Sequence, residues 1–590
     1  MVNADEIKQI HIWEPLEIEL TAENTYTNPY TEVDLWVELE GPDFKKRVYG
    51  FWDGENSFKI RITAIKPGKW TWVSGSNQSD IGLNGKTGEF EAVNWSKAEK
   101  KENPCRRGFI KTADDNHTLE YADGTPYFLL GDTWWAAPTY RFKWYDDNKK
   151  RPIGPEMGFK DMVRYRKSQG FNCIAMIAGH PAWANDGKPV DIHLDDKEKT
   201  VIRSAWQQAG TDSAEDMYNE GGRPFKFPGK VPGYEDVVPD FNQINPEYFQ
   251  HMDKKIEYLN KEGFIPFIEA ARRDISQVWK KFYDWPTSYM RYIQYIFSRY
   301  HANNCILSPI HFDFDGDSIP SIEYNQPINM MIEKYGRPPF TNMLSTNAHL
   351  STYRNYGGPE HNKWLDLYTT GNWREHDYYW FLTEVFNSDK PKPALNGEPY
   401  YPRCELGWPH GQPPTDNKED DLYCRSGMYG SVLSGGLAGY IYGAQGLWEG
   451  AVEKEADYKM WDSIRWESGE QLQYLRDFVL SEGERYKNLR PDSEYISPNK
   501  AGDPIGYKGW AYCAGTRERD FFLLYFEKDC PAATFRGTYS GRKYKAWWYN
   551  PRNGEWREMD KLLVPDPDTG LIDLPSLPTN NDWAMKMLEV

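Results

Sequence analysis

A chain of 590 residues is too long for one hydrophobic core and implies several domains. Its 39% hydrophobic and 27% charged content fits a globular protein, neither disordered nor fibrous, and no run is apolar enough to cross a bilayer. A formal net charge of −18 argues against a nucleic-acid partner, which demands a basic face.

The opening segment MVNADEIKQIHIWEPLEIEL lacks a basic stretch followed by an apolar one, so no secretory leader is expected and the cytoplasm is the expected compartment. Seven cysteines without CxxC spacing agree with that, and Cys173 and Cys305 sit in apolar runs that suit reduced, buried thiols. Residues 1 to about 98 alternate in the manner of strands: Val33, Leu35, Val37 and Leu39, then Phe58, Ile60 and Ile62. A β-sandwich of about seven or eight strands is predicted there, with 99–124 as a linker.

Over 125–490 the pattern changes to strand, helix, strand. PYFLLGD, FNCIAMIAGH, FIPFIEA and CILSPIHFD read as four strands, followed by NMLSTNAH, WLDLYTT, KPALNGE and LAGYIYG. Between the second and third comes a polar insertion (about 184–242) and a helix with Asn245 as cap, Pro246 in its first turn and Gly263 as its stop. Eight strands with intervening helices predict a (β/α)8 TIM barrel. WAYCAG, DFFLLYF, YKAWWYN and AMKMLEV then predict a second β-sandwich over 491–590. The fold class is thus multidomain α/β, a central barrel flanked by two sandwiches.

Chemistry in such a barrel sits where its strands end. Those ends carry Asp132, His180, Glu269, Asp313, His349, Glu398, Tyr442 and Gln445, with Trp134, Trp135, Tyr400 and Trp448 as aromatic neighbours. Flat rings with a polar edge suit the faces of sugars, and an aromatic content of 16% supplies many. Cleaving a glycosidic bond takes two carboxylates, one protonated and one ionised. Glu269 has an ordinary rival explanation in an ion pair with Arg272 and Arg273.

The segments YFLLGDTWWAAP, KPALNGEPYY and GGLAGYIYGAQGLW resemble the apiosidase-like glycoside hydrolases, family 140 and its relatives. The N-terminal region resembles the sandwich that precedes such barrels, and WWYNPRNGEW with NDWAMKML resembles their trailing collagen-binding-like sandwich. The resemblance implies an acid/base carboxylate after strand four and a nucleophilic glutamate after strand seven. Glu398 takes the second place and Asp313 the first. Two glycines of the family pattern are replaced by His311 and Phe312, so Asp315 stays an alternative to Asp313.

The segment DFDGD opens like a calcium loop, but Tyr324 stands where its twelfth-position glutamate belongs, so neither metal nor cofactor is expected. The expected reaction is retaining hydrolysis of a small carbohydrate, with carboxyl groups roughly 5–6 Å apart. WANDGKPV and GGRPFKFPGK within the insertion are expected to close one end of the site and favour exo-action. A carbohydrate-binding barrel without catalysis and a polysaccharide lyase are the alternatives. Neither a membrane partner nor nucleic acid is expected, and homo-oligomerisation stays open.

Overall fold

The computed structural model describes residues 8–179, 190–193, 199–202, 218–233, 235, 238–273, 276–313, 319–371, 379–404, 417–454, 456–502 and 507–590. The N-terminal region forms two facing sheets. Five strands make one (Lys8–His11, Leu35–Gly41, Phe44–Tyr49, Gly68–Ser76, Thr87–Val93) and three the other (Leu16–Thr21, Phe51–Gly54, Ser57–Ile62). Alternation explains the arrangement. Leu35, Val37 and Leu39 from one sheet meet Phe58, Ile60 and Ile62 from the other, all at most 2% exposed.

The central region holds a curled eight-stranded sheet: β1 Leu129–Thr133, β2 Cys173–Gly179, β3 Ile265–Ala271, β4 Ile306–Ser308, β5 Leu350–Ser351, β6 Tyr368–Gly371, β7 Ala394–Glu398 and β8 Gly439–Tyr442. Its order is β4-β3-β2-β1-β8-β7-β6-β5, parallel throughout except where β5 meets β6. The inner face is apolar, built from Leu129, Cys173, Ile265, Ile306, Leu395, Ile441 and their neighbours. Residues of the opposite parity point to the helices.

The fifth strand differs from the expectation. NMLSTNAH does not form one; its segment 343–345 makes only a single bridge, Leu344 to Leu307. Leu307 N donates to Met343 O (3.0 Å), Ser345 N to Leu307 O (3.1 Å) and Asp366 N to Leu344 O (2.8 Å). Side chains compete for the remaining backbone partners, because Ser345 Oγ donates to Leu367 O and Thr346 Oγ1 to Ile310 O.

Helices α1 Phe159–Ser168, α2 Pro246–Glu262, α3 Thr287–Tyr300, α4 Asn417–Leu433 and α5 Glu467–Val479 flank the sheet. On α2, Phe249, Met252, Ile256 and Leu259 form the buried stripe that their spacing implies. Gly263 ends the helix in the left-handed region at φ 88°. Asn245 stands at the start of α2, but its side chain does not cap it. The amide donates to Gly221 O and Arg223 O instead, tying the end of the insertion to the helix. Residues 221–230 pack inward through Phe225 against Phe241, Trp279 and Tyr292, while most of WANDGKPV lies outside the described residues.

The C-terminal region is again β-rich, with a six-stranded and a three-stranded sheet around Cys513, Phe522, Leu524, Phe535 and Met585. All seven cysteines are free thiols. Among the described residues no helix is long and apolar enough to cross a membrane.

Two buried charge clusters join the flanks to the centre. Asp253 of α2 receives Arg61 from the N-terminal region (2.6 and 3.1 Å) and Arg299 of α3 (2.6 and 2.8 Å). Arg299 also reaches Asp53 at 2.8 Å, and its guanidinium lies 4.6 Å from the Phe51 ring. At the other flank, Asp582 accepts two bonds from Arg425 of α4 (2.7 and 2.8 Å) and one from Arg552 (3.0 Å).

Burial would raise the Asp253 carboxyl, but Arg299 and Arg61 outweigh it and hold it well below its ordinary 3.8. Its stabilisation is therefore present above pH 3.8 and lost as pH falls towards the depressed value. Asp253→Asn removes the carboxylate that two buried guanidinium groups share, leaving Arg299 with Asp53 and Arg61 with Glu17, and should cost up to roughly 3–5 kcal/mol. Urea unfolding at neutral pH measures that loss. An acid-unfolding series should show a flatter acid limb in the variant than in the wild type.

Candidate active site

Parity along the strands decides which side chains reach the mouth of the sheet. On β1, Leu129 faces inward, so Asp132 faces the helices. Asp132 is fully buried there, with Oδ2 accepting from Arg166 Nε at 2.7 Å and Trp134 Nε1 at 2.8 Å. Burial pushes its carboxyl up against the pull of Arg166. Trp134 shares that outward face, packed on Phe142 and Phe159. Tyr442, opposite Asp132 on β8, also points outward, its hydroxyl 3.0 Å from Ser468 Oγ. Tyr400 is buried, donating to Asp420 Oδ1 at 2.6 Å and packing on Tyr423 and on Tyr507 of the C-terminal region. These four expected sugar contacts are wall residues. A sheet strand can offer the mouth only every second side chain, and they have the wrong parity or another partner.

The residues that do converge start from β3. Ile265, Phe267 and Glu269 share the inner face, which buries the Glu269 carboxylate to 1% exposure. Its Oε1 accepts from Asn347 N at 2.8 Å and from Ser308 Oγ at 3.4 Å, and Oε2 makes a very short contact with His311 Nδ1. His311 follows β4, where its N–H donates to Ala271 O (2.7 Å) and extends the pairing with β3. Its other ring nitrogen, Nε2, lies 3.6 Å from Asp313 Oδ2. Arg272 and Arg273, the expected partners of Glu269, turn to Asp313 at 2.8 and 2.7 Å.

Glu398 reaches the mouth through a bulge. Thr370 pairs with Asn396 but Gly371 pairs with Glu398, so Gly397 is skipped. Regular alternation would have left Glu398 on the face of Asn396, whose amide bonds Ser431 of α4. The bulge turns it to the mouth, where Asn347 Nδ2 donates to its Oε2 at 2.6 Å. Gly371 makes room, since a Cβ there would stand 3.0 Å from the Glu398 Cβ. Asn347 was not legible as a site residue in the sequence. The signal was its odd-numbered place after the inward Met343.

Trp135 faces inward, its ring 4.5 Å from that of His311, and Trp448 packs on the same inner cluster while partly exposed. Gln445 holds the Trp448 indole, accepting from Nε1 at 2.7 Å. His349 is partly exposed near the start of β5. His180 and Asp315 lie outside the described residues.

The site is therefore three carboxylates (Glu269, Asp313, Glu398) among His311, Arg272 and Arg273. Burial would raise the Asp313 carboxyl, but Arg272, Arg273 and His311 outweigh it and hold it well below the carboxylate range. Asp313 was expected to begin as the proton donor. These cations favour its ionised form in the resting site. Burial would lower the His311 imidazole, yet Glu269 and Asp313 raise it to about 10. One atom each of His311, Asp313 and Glu398 lies within 4.8 Å of the others, a spacing that a cation could bridge. The two guanidinium groups on Asp313 already supply the positive charge there.

Family models match three parts of the chain. The apiosidase-like catalytic domain covers 113–484, a domain of unknown function 9–77, and a collagen-binding-like domain described from a collagenase 491–587. Among solved structures, a candidate glycoside hydrolase from Bacteroides vulgatus ATCC 8482 aligns at TM-score 0.65 and 17% identity, covering 99% of this chain and 100% of that one. A family 5 glycoside hydrolase from the same strain aligns at TM-score 0.56 and 16% identity, covering 82% and 94%. Likeness at such identity speaks for the fold. A search of curated proteins gives no match.

Asp132→Asn separates wall from ligand. Removing the partner of buried Arg166 should lower the unfolding midpoint and leave KM unchanged in the folded enzyme. A raised KM at an unchanged midpoint would return Asp132 to the substrate.

Proposed function

The chain belongs to the apiosidase-like family of glycoside hydrolases, and on that premise we propose that it is a retaining glycosidase with Glu398 as its nucleophile. The observation that carries this reading is the spacing across the mouth. An oxygen of Glu398 lies within 4.8 Å of one of Asp313. Retaining enzymes set their carboxyl groups about 5–5.5 Å apart, and inverting ones about 6.5–9.5 Å, to admit a water. Direct attack suits the shorter distance.

Glu398 fits the nucleophile's part. It is 6% exposed, and the Asn347 amide fixes one oxygen. Attack by the other would form a glycosyl ester that water then resolves. Trp135 and Trp448 are the proposed stacking faces, and Asp313 is the proposed acid/base carboxylate on the leaving-group side, with Asp315 as its alternative.

The same reading takes the curled sheet as a closed (β/α)8 barrel, with segment 343–345 as its fifth stave between β4 and β6. The hydrogen bonds of Leu307, Ser345 and Asp366 support that closure. It takes 1–98 and 491–590 as separate sandwiches and 125–490 as the barrel. Exo-action on short glycosides in the cytoplasm is part of the proposal, and the free thiols favour that compartment.

A panel of aryl glycosides and plant-derived oligosaccharides tests the activity. Glu398→Gln should abolish turnover with the unfolding midpoint intact. NMR of the first-formed product should show the anomeric configuration of the substrate; the opposite anomer would falsify the nucleophile role.

A further inference from the structure

Ser345, Thr346 and Asn347 stand between β4 and β6, and hydrogen bonds brace them from both sides. Ser345 Oγ donates to Leu367 O at 2.9 Å, just ahead of β6, and Thr369 Oγ1 of β6 donates to Thr346 O at 2.7 Å. Thr346 Oγ1 reaches back to Ile310 O beyond β4, and Asn347 N donates to Glu269 Oε1 of β3 at 2.8 Å. What this mount carries into the mouth is the Asn347 amide. We infer that Asn347 is the positioning residue of the second half-reaction. Its amide holds the Glu398 oxygen that does not bond to the sugar, and eases the return of charge to that carboxylate when the glycosyl ester is hydrolysed. This rests on the glycosidase reading and on Glu398 as nucleophile.

The direction of the amide is set by its own backbone. Ala348 N donates to Asn347 Oδ1 at 2.8 Å, so Nδ2 is the end turned to Glu398, and it donates to Oε2 at 2.6 Å. His311 Nδ1 lies 3.5 Å from the same Nδ2 but is engaged by Glu269, so the short bond goes to Glu398. Asn347 and Glu398 are both buried. A hydrogen bond to a charged acceptor out of water is stronger than one between neutral groups.

In the first step Glu398 Oε1 bonds to the anomeric carbon as the carbon–aglycone bond breaks. The electron pair of that bond goes to the aglycone oxygen, which takes a proton from the acid/base carboxylate. Glu398 gives up its charge here, so a donor on Oε2 stabilises the start of this step and not its transition state. In the second step water bonds to the same carbon, and its proton goes to the acid/base carboxylate. The ester bond returns its electron pair to Glu398, and the charge that reappears on Oε2 meets the waiting Nδ2. The amide therefore serves the second step.

The test uses the full-length enzyme at neutral pH on the dinitrophenyl glycoside of the sugar that the panel releases, whose leaving group needs no proton. Asn347→Ala keeps the backbone N–H that Glu269 needs and removes the amide alone. The variant should lose roughly tenfold to a hundredfold in kcat, the worth of a hydrogen bond to a charged group. KM should fall in step, leaving kcat/KM nearly unchanged, because that ratio reports the first step. A burst of dinitrophenolate stoichiometric with enzyme should precede the steady state, and mass spectrometry of the quenched protein should find the sugar on Glu398. A purely structural role gives a different result: a lower kcat and a smaller burst at an unchanged KM. That result overturns the inference, as does a loss in kcat/KM as large as the loss in kcat, or kinetics identical to the wild type. Should Asn347→Ala fail to fold, Asn347→Ser is read in the same way, since its hydroxyl can accept from Ala348 N but is too short to reach Glu398. If no glycoside is cleaved, or Glu398→Gln still turns over, the reading of the site falls and this inference with it. An enzyme that needs Glu398 but not the Asn347 amide removes Asn347 alone.

Discussion

A carboxylate on the inner face of a closely packed sheet has to be satisfied where it stands, and Glu269 imposes that condition on the whole mouth. Leaving such a charge unpaired would cost far more than a lost hydrogen bond between neutral groups. Its partners come from three separate places in the chain: Ser308 on β4, His311 beyond it, and the backbone of Asn347. Each then fixes something else. His311 faces Asp313, and the Asn347 side chain holds Glu398. The placement of Glu398 on β7 thus descends, through one amide, from the need to bury a glutamate on β3.

The same condition explains why Asp313 needs two arginines. It is 7% exposed and has an oxygen within 4.8 Å of one of Glu398, so without Arg272 and Arg273 its charge would be disfavoured. The arginines hold that charge in place beside the His311 imidazole.

Much of the fold was legible. Alternation over Leu35, Val37 and Leu39 and the stripe on α2 gave their elements directly, since packing there follows the period. Segment 343–349 misled because polar side chains took its backbone partners, an effect invisible in an apolar pattern. Glu398 and Glu269 were found at strand ends, but so were Asp132 and Tyr442, which point the other way. Telling them apart required knowing which parity faced inward, and the bulge at Gly397 reverses even that rule. Asn347, unremarkable beside its neighbours in sequence, mattered because distant residues folded around it.

The packing of Tyr400 has a consequence for how such a chain can change over time. Two residues beyond Glu398, its ring meets Tyr507 of the C-terminal region at 6.0 Å, and Tyr423 of α4 meets the same ring at 5.1 Å. The trailing β-rich region therefore forms part of the outer support of the loop that bears Glu398. It is not a detachable module. Recombination that exchanged this region for another would have to bring a matching aromatic to the Tyr507 position, so the three tyrosines should be inherited together even though more than 100 residues of chain separate the first from the last.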